Sequence, residues 1–450
     1  MSSHCIHLGN RQKALLLLLL CILVGVPANS QSAFDYISRN RSLSASNYCI
    51  YPDTIEPQMT PPPAGKKPFY ISHYGRHGSR YLSNRKGYDV PYKMLYKADS
   101  LHQLTEVGKS VLREMRNIID DSEGRWGDLT GLGKKQHYDI ANRMMKRFPE
   151  VFADTAFIDA RSTIVNRCIL SMGSAVQKMV ANNPRLKISI NCTYRDMWYM
   201  NHQDKHLRNN MMPPVADSIY KAFSAPREQN HRLMNLLFVD EDYVKREIDE
   251  MWLNYYLLKS ALIQQNTHLG TSSTILDLFS YEDIHQFWQK ENAWWYINYG
   301  PSPLNGGNQP FTQRYLLRKI IEEADSCISK AEHGASLRFG HETIILPLTC
   351  LLGINGFDYQ TTNLEELEQR GWWACLVFPM ASNIQLVFYR EGPDDPDVIF
   401  KVLLNENEAT LPLPTDITPY YHWRDFREYY LHKLEAYEEM PSHTSASVSP

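Results

Sequence analysis

Strand patterns alternate with helical ones at both ends of this 450-residue chain, while the stretch from about 195 to 330 carries helical patterns alone. A chain patterned this way folds as an α/β layer with a helical insertion, because strands separated by helices pair into one sheet. The first strand is predicted over Pro68–His73 and runs directly into a turn at Arg76-His77-Gly78. Helices are predicted near Leu104–Ile119 and Leu132–Phe148; in the second, Ile140, Met144 and Phe148 repeat at the four-residue spacing of one helix face. A short strand, Ala156–Asp159, precedes Arg161-Ser162-Thr163 and a helix from about Val165 to Val180. Past the helical middle, whose last helix runs from about Phe311 to Lys330, strands are expected at Ser336–Phe339, Ala374–Pro379, Ile384–Tyr389 and Val398–Leu404. A helix is expected over Thr343–Leu352. The predicted fold class is α/β: a mostly parallel central sheet flanked by helices, with an inserted, mainly helical cap domain. Residues 31–190 and 331–440 make the discontinuous α/β domain, residues 191–330 the cap, and residues 441–450 a mobile tail.

Residues 1–30 read as a cleavable secretory signal. Arg11 and Lys13 precede an apolar run from Ala14 to Val26, and Ala28-Asn29-Ser30 supplies the small residues of a cleavage site, with the cut after Ser30. That run is too short for a membrane-spanning helix, so the expected product is secreted or periplasmic, with no stable membrane insertion once the leader is gone. Loss of Arg11 and Lys13 reduces the 47 basic residues to 45 against 50 acidic ones. Such a mildly acidic chain lacks the broad positive surface that nucleic acid requires, so any anion must be caught locally. Six cysteines remain after the leader: Cys49, Cys168, Cys192, Cys327, Cys350 and Cys375. No Cys-x-x-Cys occurs, and both a disulfide and a buried thiol stay open for Cys168, Cys350 and Cys375.

Three predicted strand ends carry the chemistry. The first is Arg76-His77-Gly78-Ser79-Arg80, where two arginines bracket an imidazole and Gly78 permits a close approach of phosphate to the backbone. The planar guanidinium fork grips two phosphate oxygens at once. The second is Arg161-Ser162-Thr163-Ile164-Val165-Asn166-Arg167, and the third is Gly340-His341-Glu342, at a helix start. Loops at the carboxyl ends of core strands are where α/β proteins hold ligands. Together the three supply cationic donors, an imidazole nucleophile and a carboxyl proton donor, the complete set that phosphoryl transfer needs. Glu342 does not belong to a His-Glu-x-x-His zinc helix, because Ile345 stands where the closing histidine would be.

These residues resemble the histidine acid phosphatases, the second branch of the histidine phosphatase superfamily, whose signature is Arg-His-Gly-x-Arg-x-Pro. Here Leu82 replaces its final proline. The family's Leu-Thr-x-x-Gly-x-x-Gln stretch is matched by Leu129 to Gln136, and its Arg-Ser-Thr-x-x-x-Arg stretch by residues 161–167. Within the family the sequence is most similar to the multiple inositol polyphosphate phosphatases. It departs from them at the later motif, where Glu342 follows His341 directly, as the acid phosphatases' aspartate does. The resemblance implies that His77 is the nucleophile and Glu342 the proton donor, with no cofactor and no metal. It assigns Arg76, Arg80, Arg167 and His341 to the phosphoryl oxygens, and Arg85 and Lys86 to a second phosphate of the substrate. The implied partner is a small phosphomonoester, with inositol polyphosphates first. Sugar and other small phosphomonoesters, a non-catalytic phosphate binder and a phosphomutase stand as alternatives.

Overall fold

The computed structural model describes residues 32–440 apart from 53–57, 203, 229, 271–272 and 331. The expected leader, residues 1–30, and the expected tail, residues 441–450, lie outside the described residues. Eight strands form one sheet: β1 (Lys67–Arg76), β2 (Phe157–Ser162), β3 (Lys187–Asn191), β4 (Gly334–Gly340), β5 (Asn383–Arg390), β6 (Ile399–Leu404), β7 (Asn407–Ala409) and β8 (Tyr421–His422). Their order is β3-β2-β4-β1-β5-β6-β7, with β8 beside β6. The α/β class and the central sheet flanked by helices are as expected. The sheet is mixed, however: β3, β2, β4 and β1 run parallel, whereas β5, β6, β7 and β8 add antiparallel pairs. Short links join β5 to β6 and β6 to β7, and such links return the chain antiparallel.

β1 sits between β4 and β5, so both its edges are hydrogen-bonded, and every residue from Phe69 to Arg76 is buried. Its apolar face meets helices on either side of the sheet. On one side Ile71, Leu337 and Val387 pack with Met144 and Met172 from the helices Gly131–Arg147 and Asn166–Asn182. On the other, Tyr70 and Phe388 pack with Leu316, Ile320 and Ile344. A third cluster joins Leu95, Val111, Met115 and Ile118 to Leu233, Leu257, Ile284 and Trp288. The strand-free middle of the chain therefore shares its core with the helices Lys86–Ser100 and Glu106–Ser122.

Three local readings change. The run Ala374–Pro379, expected as a strand, contains a short helix at Ala374–Val377 instead. Asn292 fixes it there, accepting from the Ala374 N–H at 2.9 Å and donating to the Trp372 carbonyl at 2.8 Å. A short buried apolar run has no periodicity to separate helix from strand. The edge strand β3 and the helix Trp423–Glu438 are additional elements that the sequence reading does not include. All six cysteines are free, so the buried-thiol alternative holds for Cys168, Cys350 and Cys375. Among the described residues, no helix is long and apolar enough to cross a membrane.

Candidate active site

The parallel register brings the strand ends together. Arg76 pairs with Gly340, and Ser162 with Phe339, so His77, Thr163 and His341 leave the sheet side by side. Backbone hydrogen bonds fasten this edge: the His77 N–H donates to the Gly340 carbonyl (2.9 Å), and the Thr163 N–H to the Phe339 carbonyl (3.0 Å). The Arg76 N–H donates to the Ser382 carbonyl (2.7 Å), and the His77 carbonyl accepts from the Ala381 N–H (2.9 Å). The loop after β1 is held as firmly by side chains. Ser171 Oγ accepts from the Gly78 N–H at 3.1 Å, and Gln136 Oε1 accepts from the Ser79 N–H at 2.8 Å. Such fixed support is what a site acting on developing charge needs.

Gly78 has a different purpose from the one its sequence context suggests. Its N–H is taken by Ser171, and its Cα faces protein: a Cβ there would lie 2.3 Å from the Gly133 carbonyl oxygen and 2.6 Å from the Gly133 Cα. Gly133 meets the same limit from its side, 2.3 Å from the Ser79 carbonyl oxygen. The two glycines let the nucleophile loop and the start of helix Gly131–Arg147 touch backbone to backbone. Gly78→Ala is expected to lose about 2–3 kcal/mol of stability or more, because neither backbone can swing aside. Urea unfolding measures it, and an unchanged midpoint would contradict this packing.

His77 is fully buried. Its Nδ1 lies 2.9 Å from the Gly78 carbonyl, which can only accept, so Nδ1 carries the proton and Nε2 keeps a lone pair. Burial drives this imidazole well below its usual value; Glu342 opposes that, while Arg76 and Arg167 push the same way. A neutral ring with a free Nε2 is a competent nucleophile. His341 stands 5.9 Å from it, ring centre to ring centre, with Nε2 3.1 Å from Thr163 Oγ1. Burial lowers His341 to about 4, with Glu342 opposing and Arg167, Arg76 and Arg80 adding to the drop.

Glu342, the first residue of helix Glu342–Leu352, places its carboxylate among the cations. Oε2 is 3.2 Å from Arg76 Nε and 3.5 Å from His77 Nε2, and Oε1 is 3.7 Å from Arg80 Nη2. The His77 approach is electrostatic; Nε2 has no hydrogen-bond partner. Burial alone would raise the Glu342 carboxyl, but Arg76, His77 and Arg80 hold it well below the usual range. Burial lowers Arg76 to about 10, so it stays charged, with Glu342 opposing and Arg80 assisting the drop. Burial also lowers Arg167, and Arg80 adds to it.

Arg76 Nε and Nη2, Arg80 Nε and Arg167 Nε are buried donors without a hydrogen-bond acceptor. Unpaired buried donors are costly, and their gathering beside one imidazole marks a ligand site. Three guanidinium charges against one carboxylate leave a net positive site, which suits an anion. His77, His341 and Glu342 also bring ligand-type atoms within 4.8 Å of one another, a spacing that suits a metal ion. The surrounding arginines repel a cation there, so the arrangement fits an anion better.

A family model described as the histidine phosphatase superfamily (branch 2) matches residues 75–405. The chain belongs to that family. The multiple inositol polyphosphate phosphatase of Bifidobacterium longum, solved with inositol hexasulfate, superposes with a TM-score of 0.70 at 19% identity, over 85% of this chain and 96% of that one. The phytase from D. castellii gives 0.62 at 14% identity, over 87% and 85%. A Dictyostelium discoideum protein, multiple inositol polyphosphate phosphatase 1, is 26% identical over 113 residues, which span 24% of this chain and 18% of that protein.

Within this histidine phosphatase, the structure brings together His77, Arg76, Arg80, Arg167, His341 and Glu342. Arg161 is committed elsewhere, to Asp159 (2.8 Å) and Asp196 (2.9 Å). Arg85 is exposed, paired with Asp89 at 3.1 Å and facing Trp126, and Lys86 faces Trp252. Sequence reasoning missed Asn47, whose Nδ2 donates to Glu342 Oε1 at 3.2 Å, and Tyr48, whose ring faces Arg80 at 5.4 Å. Both lie in the short 3₁₀ turn Ser46–Tyr48, well before β1, which is too brief for spacing or periodicity to signal.

Proposed function

We propose that this histidine phosphatase hydrolyses phosphomonoesters through a phosphohistidine on His77, with inositol polyphosphates as its substrate class. The observation that carries the reading is the gathering of Arg76, Arg80, Arg167 and His341 around a buried, neutral imidazole whose Nε2 is uncommitted. Incoming phosphate takes over the guanidinium contacts that Glu342 makes to Arg76 and Arg80. The N–P bond forms at His77 Nε2 as the bond from phosphorus to the ester oxygen breaks, and Glu342 gives its proton to that oxygen. Water then attacks phosphorus, the N–P bond breaks, and the water proton passes to Glu342. The arginines stabilise charge on the phosphoryl oxygens throughout. The mainly helical residues 191–330 cap the site, and Arg85 and Lys86 contact the substrate at its rim. The leader reading places the mature protein, starting after Ser30, in an exported compartment.

The substrate class draws support from the named relatives, and the position of Glu342 directly after His341 keeps small phosphomonoesters as the second reading. Phosphate release from myo-inositol hexakisphosphate, glucose 1-phosphate and 4-nitrophenyl phosphate separates the two, with His77→Ala as blank. The inositol ester is expected to give the highest kcat/KM. A preference for the sugar or aryl ester would select the second reading, and release from none of them would overturn the hydrolase.

A further inference from the structure

Asn47 belongs to the 3₁₀ turn Ser46–Tyr48, and its Nδ2 donates to Glu342 Oε1 at 3.2 Å. Phosphoryl transfer itself gives this amide no task. Its backbone is fastened on both sides. The Tyr48 carbonyl accepts from Asn266 Nδ2 at 2.7 Å, and Asn266 Oδ1 accepts from Ser79 Oγ at 2.7 Å, which ties the turn to the nucleophile loop. The Cys49 carbonyl accepts from the Met380 N–H at 2.8 Å. Asn47 itself is buried. The amide therefore keeps a set position beside the carboxyl group.

Glu342 needs such a tether. The last torsion of a glutamate side chain is broad, and two of the groups that hold this carboxylate are cations. Arg76 Nε lies 3.2 Å from Oε2, and Arg80 Nη2 lies 3.7 Å from Oε1. On the phosphate-site reading both turn to phosphoryl oxygens when substrate binds, which leaves the carboxyl group free to swing. Asn47 carries no charge, so an anion draws it far less than it draws the guanidinium groups. Its N–H also suits either state of the carboxyl group. A carboxylate oxygen accepts from it, and so does the unprotonated oxygen of a carboxylic acid. With Oε1 taken in this way, a proton belongs on Oε2, the oxygen 3.5 Å from His77 Nε2.

We propose that Asn47 is a positioning residue that keeps Glu342 aimed through the reaction cycle and directs its proton to Oε2. The inference rests on the reading of Glu342 as proton donor. The proton on Oε2 passes to the ester oxygen as that oxygen leaves phosphorus. When water attacks and the N–P bond breaks, a water proton returns to the same atom. Without Asn47 the carboxyl group samples orientations that miss the leaving oxygen, so kcat falls for esters that need a proton.

Asn47→Leu keeps much of the side-chain shape and removes the donor. The test is steady-state kinetics on glycerol 2-phosphate and 4-nitrophenyl phosphate with wild type, Asn47→Leu, Glu342→Gln and the double variant. Asn47→Leu is expected to lower kcat on the alkyl ester about tenfold or more, the effect of losing a hydrogen bond to a charged group. KM should move far less, and the aryl ester should slow by a much smaller factor. In the Glu342→Gln background the same substitution should cost the alkyl ester little further, because a residue acting through Glu342 has no donor left to aim. Thermal unfolding shows whether the leucine variant is folded; Asn47→Ala, smaller and equally without a donor, takes its place if it is not. Equal slowing of both esters by the Asn47 variant, or full multiplication of the two losses in the double variant, overturns the proposal alone. Wild type that hydrolyses neither ester, or Glu342→Gln that slows both alike, overturns the proton-donor reading and the proposal with it.

Discussion

His77→Ala is expected to lower turnover on every phosphomonoester by about 10⁴-fold or more, the scale of loss when a covalent nucleophile is removed. The reason is geometric. Nδ1 is bound to the Gly78 carbonyl and Nε2 alone faces the arginines and Glu342, so no other imidazole nitrogen is poised in the same way. His341 is 5.9 Å away and holds Thr163 through its own Nε2. Inorganic phosphate should still bind, because Arg76, Arg80 and Arg167 are untouched. Steady-state kinetics and calorimetry measure the two effects; a variant retaining a tenth of wild-type turnover would refute the nucleophile assignment.

Glu342→Gln should act in two opposite directions. The Glu342 carboxylate is the counter-ion of Arg76 and Arg80, so phosphate must displace it. Neutral glutamine removes that competition, and inorganic phosphate is expected to bind more tightly by about tenfold. Turnover should fall by about 10²–10⁴-fold for alkyl esters, whose leaving oxygen needs a proton, and far less for 4-nitrophenyl phosphate. Equal slowing of both esters would remove the proton-donor role, and weaker phosphate binding would remove the displacement.

The same carboxylate sets the pH dependence. Glu342 titrates well below its usual range, so its proton must come with the substrate. A phosphate monoester monoanion carries one, lost near pH 6, and the pair then shares a single proton. The acid side is set by His77, whose ring stays neutral well below its ordinary value of 6.5. The profile of kcat/KM for an alkyl ester should therefore peak on the acid side of neutrality and decline above about pH 6. A maximum above pH 8 would contradict this proton balance.

The central strand and its turn were readable because a strand covered on both faces is apolar along its length, as Phe69 to Ile71 are, and ends where charge begins. The six grouped side chains were readable because each follows a predicted strand end, and parallel register aligns such ends. What escaped has physical causes. The antiparallel half of the sheet depends on which edge of β1 takes up β5, a long-range choice that local pattern does not encode. The helix Lys86–Ser100 buries Tyr88, Leu95 and Ala98 against the cap, and Pro91 within it disguises its period. Asn47 and Tyr48 enter the site from a single 3₁₀ turn placed by tertiary contacts, as the Cys49 carbonyl accepting from the Met380 N–H shows. Gly78 stands out in the sequence as a position of close approach, but the backbone of Gly133, not phosphate, occupies that side.

A rapid alkaline quench during turnover, followed by peptide mapping of the protein, tests the account most directly. One acid-labile phosphoryl group is expected on the peptide containing His77, accumulating when the second step is slowed, and missing from His77→Ala. Phosphate carried by any other residue, or a chain that never becomes phosphorylated while product forms, would contradict it.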